Sequence, residues 1–129
     1  MADTDADHEQ AAREADARKR LLRAGASSLP RAPWLHKSQP PAAVDLIRFA
    51  LWRSHTNDID EDTLLAALTL LPAARAEVDQ VEAAMLLTAR SHGLSWPRIS
   101  RAMGLASAQA AQQRFDRVTG RVENRQGSA

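Results

Sequence analysis

An all-α fold of about five helices follows from three observations on this 129-residue sequence. Apolar residues recur at helical spacing from position 41 onward, no stretch alternates apolar and polar residues as a half-buried strand does, and Gly, Pro, Ser and Asp stand where helices begin and end. The first helix of the expected domain starts near Pro41. Val44, Ile47, Leu51 and Trp52 recur at helical spacing, and Leu46, Phe49 and Ala50 widen the apolar arc, the pattern of a helix buried on several sides. His55-Thr56-Asn57-Asp58 reads as a turn. Asp60 or Asp62 then caps a second helix that carries Leu64, Leu65, Leu68 and Leu71, with acids at its positive end. Pro72 breaks or kinks the pattern. From Ala73 to His92 a long helix presents Val78, Val81, Met85, Leu86 and Ala89 to the core.

The stretch after it carries the most information. Gly93 ends the long helix, because glycine enters the left-handed region without a Cβ clash. Ser95 caps a short helix that runs to about Met103, and Pro97 is tolerated in its first turn, where the backbone N–H groups have no helical partner. Gly104 permits a sharp turn, Leu105 plugs it into the core, and Ser107 caps the last helix. Two short helices joined by a glycine-containing turn form a helix-turn-helix at 95–118, the motif whose second helix enters the DNA major groove. On that second helix Ala108, Ala111, Phe115 and Val118 form one apolar stripe. Gln109, Gln112, Gln113, Asp116 and Arg117 lie opposite, and a glutamine amide both donates to and accepts from an adenine edge. The competing reading of the same residues is a helical hairpin with a solvated glutamine face.

Charge segregation agrees with DNA binding. A net charge of +1 hides four blocks: about −5 over residues 1–16, +7 over 17–56, −6 over 57–82 and +5 from 83 to the end. The basic C-terminal block coincides with the helix-turn-helix, as phosphate neutralisation requires. Arg98 and Arg101, with Arg114 and Arg117, are the expected phosphate anchors. Ser107, Gln109, Gln112 and Gln113 are expected to face the groove, while Trp96, Ile99, Met103, Leu105, Ala111 and Phe115 hold the two helices at a fixed angle.

From Gly93 to Phe115 the chain also resembles small actinobacterial regulators that share the pattern G-L-S-W-x-x-I-x-x-A-(L/M)-G-L-x-S-x-Q-A-A-x-x-R-(F/Y), some of them described as heat-shock transcriptional regulators. The matching residues are Gly93, Leu94, Ser95, Trp96, Ile99, Ala102, Met103, Gly104, Leu105, Ser107, Gln109, Ala110, Ala111, Arg114 and Phe115. The resemblance covers about the last third of the chain. It implies a tri-helical DNA-binding domain with the helix from Ser107 as recognition helix. Where members of that family often carry Arg, this chain has Ala108, so a base or phosphate contact made there in relatives is absent.

Residues 1–40 read as a flexible tail and Pro-rich linker. Their acidic, alanine-rich start forms at most a transient helix from Asp7 to Arg23, because only Leu21 and Leu22 offer an anchor. Gly25, Ser27, Ser28, Pro30, Pro33, Pro40 and Pro41 then punctuate the linker. Arg18-Lys19-Arg20 with Arg23 form a solvated tail or a basic arm along DNA, and Trp34 and Leu35 are expected to tuck onto the domain. The helical domain spans 41–120, and 121–129 is a second flexible tail.

Several function classes are disfavoured. With no cysteine there is neither a disulfide framework nor a thiolate metal site, and a reducing cytoplasm is expected, with association to the nucleoid. No apolar run is long enough to span a bilayer. His8, His36, His55 and His92 have no partner at metal-binding helical spacing, and Asp58–Asp62 lacks the spacing of a calcium loop. His55 with Asp58 and Asp60 imitates a metal cluster but fits a turn histidine beside helix-capping acids. With no phosphate loop and no nucleophile motif, an enzyme is not expected, nor a cofactor, a metal or a small-molecule ligand. The sequence therefore points to a DNA-binding transcriptional regulator whose partner is double-stranded DNA, with a homodimer through the apolar 41–56 and 62–71 helices. The alternative is a protein-interaction module, such as an RNA polymerase or sigma-factor partner, that works through the apolar helices from 41 to 71.

Overall fold

The computed structural model describes residues 2–36, 38–56 and 59–127, and among them every regular element is helical. The order is α1 (Ala2–Arg23), a single 3-10 turn (Ala26–Ser28), α2 (Ala43–Ser54), α3 (Glu61–Thr69), α4 (Leu71–Ser91), α5 (Trp96–Ala102) and α6 (Ala108–Gly127). Helices α2 to α6 are the five expected from the sequence, and α1 is an addition. The chain divides into two units, Met1–Arg75 and Ala76–Ala129, where one domain over 41–120 was expected.

In the first unit the expected N-terminal tail is corrected to a 22-residue helix. Ala17 and the fully buried Leu21 of α1, one turn apart, join Ala26, Ala43, Leu46, Phe49, Ala50, Ala66, Ala67 and Leu70 in one core. An apolar stripe of one Ala and one Leu is narrow, but it meets the alanines of α3, and small side chains on both partners let two helices approach closely. Two cations of the basic cluster, Arg18 and Arg20, are tied into this unit, while Lys19 and Arg23 are exposed. Arg18 Nη1 donates to the Pro41 carbonyl at 2.9 Å, and Arg20 Nη2 lies 3.4 Å from both Asp60 and Asp62. Between the 3-10 turn and α2 the chain has no regular helix, as the prolines imply. Leu35 is half-buried there, but Trp34 stands in solvent, 80% exposed, contrary to expectation.

Asp60 caps α3: its Oδ1 accepts from the Thr63 backbone N–H at 2.8 Å and from the Thr63 hydroxyl. These hydrogen bonds, helped by the nearby Arg20 guanidinium, hold the Asp60 carboxyl below its ordinary pKa of 3.8. α3 buries chiefly its smaller residues. Thr63, Ala66, Ala67 and Leu70 point inward, whereas Leu64, Leu65 and Leu68 are exposed. On α2 the buried face is Ala43, Leu46, Phe49 and Ala50, leaving Leu51 and Trp52 exposed. Docking of α1 explains which face of α3 is buried, since it covers the alanine side. Pro72 interrupts the helical run as expected, with Leu70 ending α3 and α4 restarting at Leu71.

The second unit packs the later turns of α4 with α5 and α6. Leu86, Ile99, Ala111 and Val118 form its buried centre, ringed by Ala83, Ala89, Leu94, Trp96, Met103, Leu105 and Phe115. Of the α4 residues expected in the core, Leu86 and Ala89 face inward, but Val78, Val81 and Met85 are exposed, Val81 at 69%. Polar residues of α4 take part of the inward arc instead, because Asp79 and Glu82 turn toward arginines of α6. For the same reason the expected C-terminal tail is corrected to helix. α6 continues to Gly127, and Arg121 and Arg125 tie its last turns to Asp79.

Candidate nucleic-acid interface

Two glycine–leucine pairs set the geometry of α5 and α6. Gly93 and Gly104 have φ of 88° and 70°, the left-handed values that end a helix. After each, the following leucine amide reaches back across the turn: Leu94 N–H to the Ala89 carbonyl at 3.1 Å, and Leu105 N–H to the Ser100 carbonyl at 2.8 Å. Gly93 and Gly104 add the inner bonds, to the Arg90 and Arg101 carbonyls. Both turns are therefore complete Schellman motifs, and each leucine side chain packs on the core that the helices enclose. A serine follows each turn as N-cap. Ser95 Oγ accepts from Arg98 N–H at 3.4 Å, and Ser107 Oγ from Ala110 N–H at 3.1 Å.

A third constraint fixes the α4 end of this arrangement. Arg90 lies over the Trp96 ring, 5.0 Å from its centroid, and donates to the Leu94 carbonyl at 2.9 Å. Trp96 in turn meets Phe115 of α6 with centroids 5.8 Å apart and planes tilted by 48°. Arg90 is thereby a structural cation.

The residues expected to contact DNA fall into three groups. Arg98 and Arg101 are exposed on α5, one turn apart and opposite the buried Ile99 and Ser100. Gln109, Gln112 and Gln113 are exposed on the first turns of α6, with Asp116 and Arg117 continuing the same face. Arg98, Arg101 and Arg117 enter no ion pair among the described residues. Ser107 is exposed as well, but its hydroxyl oxygen already caps α6. Arg114 stands apart from its group. Its Nε donates to Glu82 Oε1 at 2.5 Å, so it faces α4 rather than offering a free guanidinium.

Sequence reasoning missed the acids. Asp79 and Glu82 belong to the acidic block 57–82, yet they neutralise arginines of the basic block after it. The unit Ala76–Ala129 holds seven arginines against five acids, so its surplus is modest, about +2. The missed signal is positional: Asp79 and Glu82 are one turn apart on α4, and Arg114, Arg121 and Arg125 fall at i, i+7 and i+11 on α6.

Among the described residues, no group of three or more His, Asp or Glu side chains is placed to hold a metal ion. Asp58, part of the imitated His55 cluster, lies outside the described residues. His92 Nδ1 is 3.0 Å from the Thr88 carbonyl, one turn back at the end of α4. Within the described residues no helix is long and apolar enough to cross a membrane. No family model matches the chain, and no curated protein or solved structure matches it either.

Proposed function

We propose that the chain is a sequence-specific DNA-binding protein, a transcriptional regulator of the cytoplasm and nucleoid. In this reading α5, the Gly104 turn and α6 are a helix-turn-helix, and α6 reads the major groove. One observation carries it: three exposed amides on the first turns of α6 lie, in chain order, between Arg98 and Arg101 of α5 and Arg117 of α6, all exposed and neutralised by no carboxylate among the described residues. Glutamine amides suit base edges, above all adenine, and arginines on both sides suit the two phosphate strands that line a groove. The paired turns support the reading further, because a recognition helix must be held rigidly if its amides are to discriminate among bases. Asp116, one turn beyond Gln112 and Gln113, repels phosphate and favours the cytosine amino group as a local donor.

Selection of bound duplexes from a random pool is the first test, with one enriched sequence expected. The electrostatic part is tested separately. Arg98→Ala with Arg101→Ala removes two phosphate contacts, each contributing about 0.9 to the slope of log affinity against log salt. The double variant is expected to bind all duplexes more weakly and to flatten that slope by about 1.8. An unchanged slope contradicts the assignment.

A second reading keeps an observation of its own. Leu51 and Trp52 of α2 and Leu64, Leu65 and Leu68 of α3 expose large apolar side chains within one unit. Such a face fits a protein partner, either a second copy or a factor of the transcription machinery. A dimer would serve the DNA reading, since one recognition helix spans only a few base pairs. Light scattering at micromolar concentration separates the two cases.

A further inference from the structure

We propose that Asp79 and Glu82 limit the phosphate footprint of the DNA-binding surface by holding Arg114, Arg121 and Arg125 against α4. The inference rests on the DNA-binding reading above and adds the device that keeps its sequence-independent part small.

Arg114, Arg121 and Arg125 form one stripe along α6, about 60° around the helix from Arg117 at 3.6 residues per turn. Left free, they would extend the cationic edge that Arg117 begins. Instead Arg114 Nε bonds Glu82 Oε1 at 2.5 Å, Arg125 Nη2 lies 2.9 Å from Asp79 Oδ2, and Arg121 Nη1 lies 3.7 Å from Asp79 Oδ1. Exposure shows which partner dictates the position. The Glu82 and Asp79 side chains are 18% and 13% exposed, whereas the arginines are 40–53% exposed. The acids are recessed, and the guanidiniums bend inward to them.

A fully exposed ion pair would yield readily to a phosphate. A recessed carboxylate does not, because losing its guanidinium leaves a half-buried charge with neither partner nor full hydration. With Arg90 also committed to Trp96, the seven arginines of this unit reduce to a footprint of three: Arg98, Arg101 and Arg117. Phosphate contacts supply affinity for any duplex, so sequestering three arginines lowers retention on random DNA and leaves the glutamine face untouched.

The test measures salt-dependent affinity for a random 20-base-pair duplex with the full chain. Three contacts give the parent protein a log–log slope of about −3, and Glu82→Gln with Asp79→Asn is expected to steepen it to about −5. Glu82→Gln alone is expected to give about one unit, and adding Arg114→Gln to it should restore the parental slope. Glu123→Gln, which removes one negative charge from α6 instead of α4, should leave the slope near the parental value. Thermal melting followed by circular dichroism identifies variants that stay folded. Folded Glu82→Gln/Asp79→Asn protein with the parental slope overturns the inference while the DNA reading stands. A gain that survives Arg114→Gln, or that Glu123→Gln reproduces, overturns it too, since a general loss of negative charge then accounts for the effect. Absence of duplex binding by the parent protein overturns the DNA reading and this inference together.

Discussion

Replacing Ile99 by alanine is expected to unfold the second unit and abolish binding to every duplex. Ile99 is one of four buried residues at the centre of that unit, with Leu86, Ala111 and Val118. Truncating a buried isoleucine costs about 2–5 kcal/mol, through lost transfer energy and the cavity left behind. A unit of this size has a total stability of the same order. Two-dimensional NMR should show the amides of residues 76–127 collapsing to unstructured shifts. Arg98→Ala, on the solvent side of the same helix, should leave the spectrum folded. Folded Ile99→Ala protein that keeps full duplex affinity would contradict the packing described here.

The second large effect lies at the other end of the chain. Leu21→Ala is expected to undock α1 and destabilise the first unit by about 2–5 kcal/mol, because Leu21 is fully buried in the core that α1 shares with α2 and α3. With its largest side chain gone, α1 retains only alanine and half-buried neighbours to hold it on α3. Hydrogen exchange followed by mass spectrometry should report lost protection over residues 10–23, together with faster exchange in α3. A flexible tail would exchange rapidly before and after the substitution, so protected amides in the parent protein already separate the two descriptions. Duplex binding by α5 and α6 should persist in this variant.

These two substitutions also mark where the sequence was informative. Short-range signals were legible: Gly93 and Gly104 as left-handed terminators, Ser95 and Ser107 as caps, Pro97 inside a first turn, and Leu105 as the plug of its turn. Each is a local rule in which one residue meets a backbone requirement within about five positions. Burial was less legible, because it depends on what covers a face. On α3 the leucines carry the hydrophobic signal, yet Ala66 and Ala67 are the buried residues, since α1 takes the side where small residues permit close approach. That α1 docks at all was hidden by its alanines, which carry little hydrophobic signal. Charge misled for a related reason. Blocks counted along the chain placed Asp79 and Glu82 apart from the arginines they neutralise, and only the packing of α4 on α6 cancels them. The exposed set Arg98, Arg101, Gln109, Gln112, Gln113 and Arg117 was legible from helical periodicity, whereas the loss of Arg114 to Glu82 was not.

The central claim is that the amide face of α6 reads bases, and one comparison tests it most directly. Gln109 and Gln113, one turn apart and both exposed, are replaced singly by alanine, and each variant is titrated against the duplex selected by the parent protein and against a scrambled duplex. A bidentate amide–base pair contributes about 1–3 kcal/mol of discrimination, so the preference for the selected duplex should fall roughly 5- to 150-fold while affinity for the scrambled one stays the same. Folded variants that keep the full parental preference would contradict the claim and move the functional surface to the exposed leucines of α3.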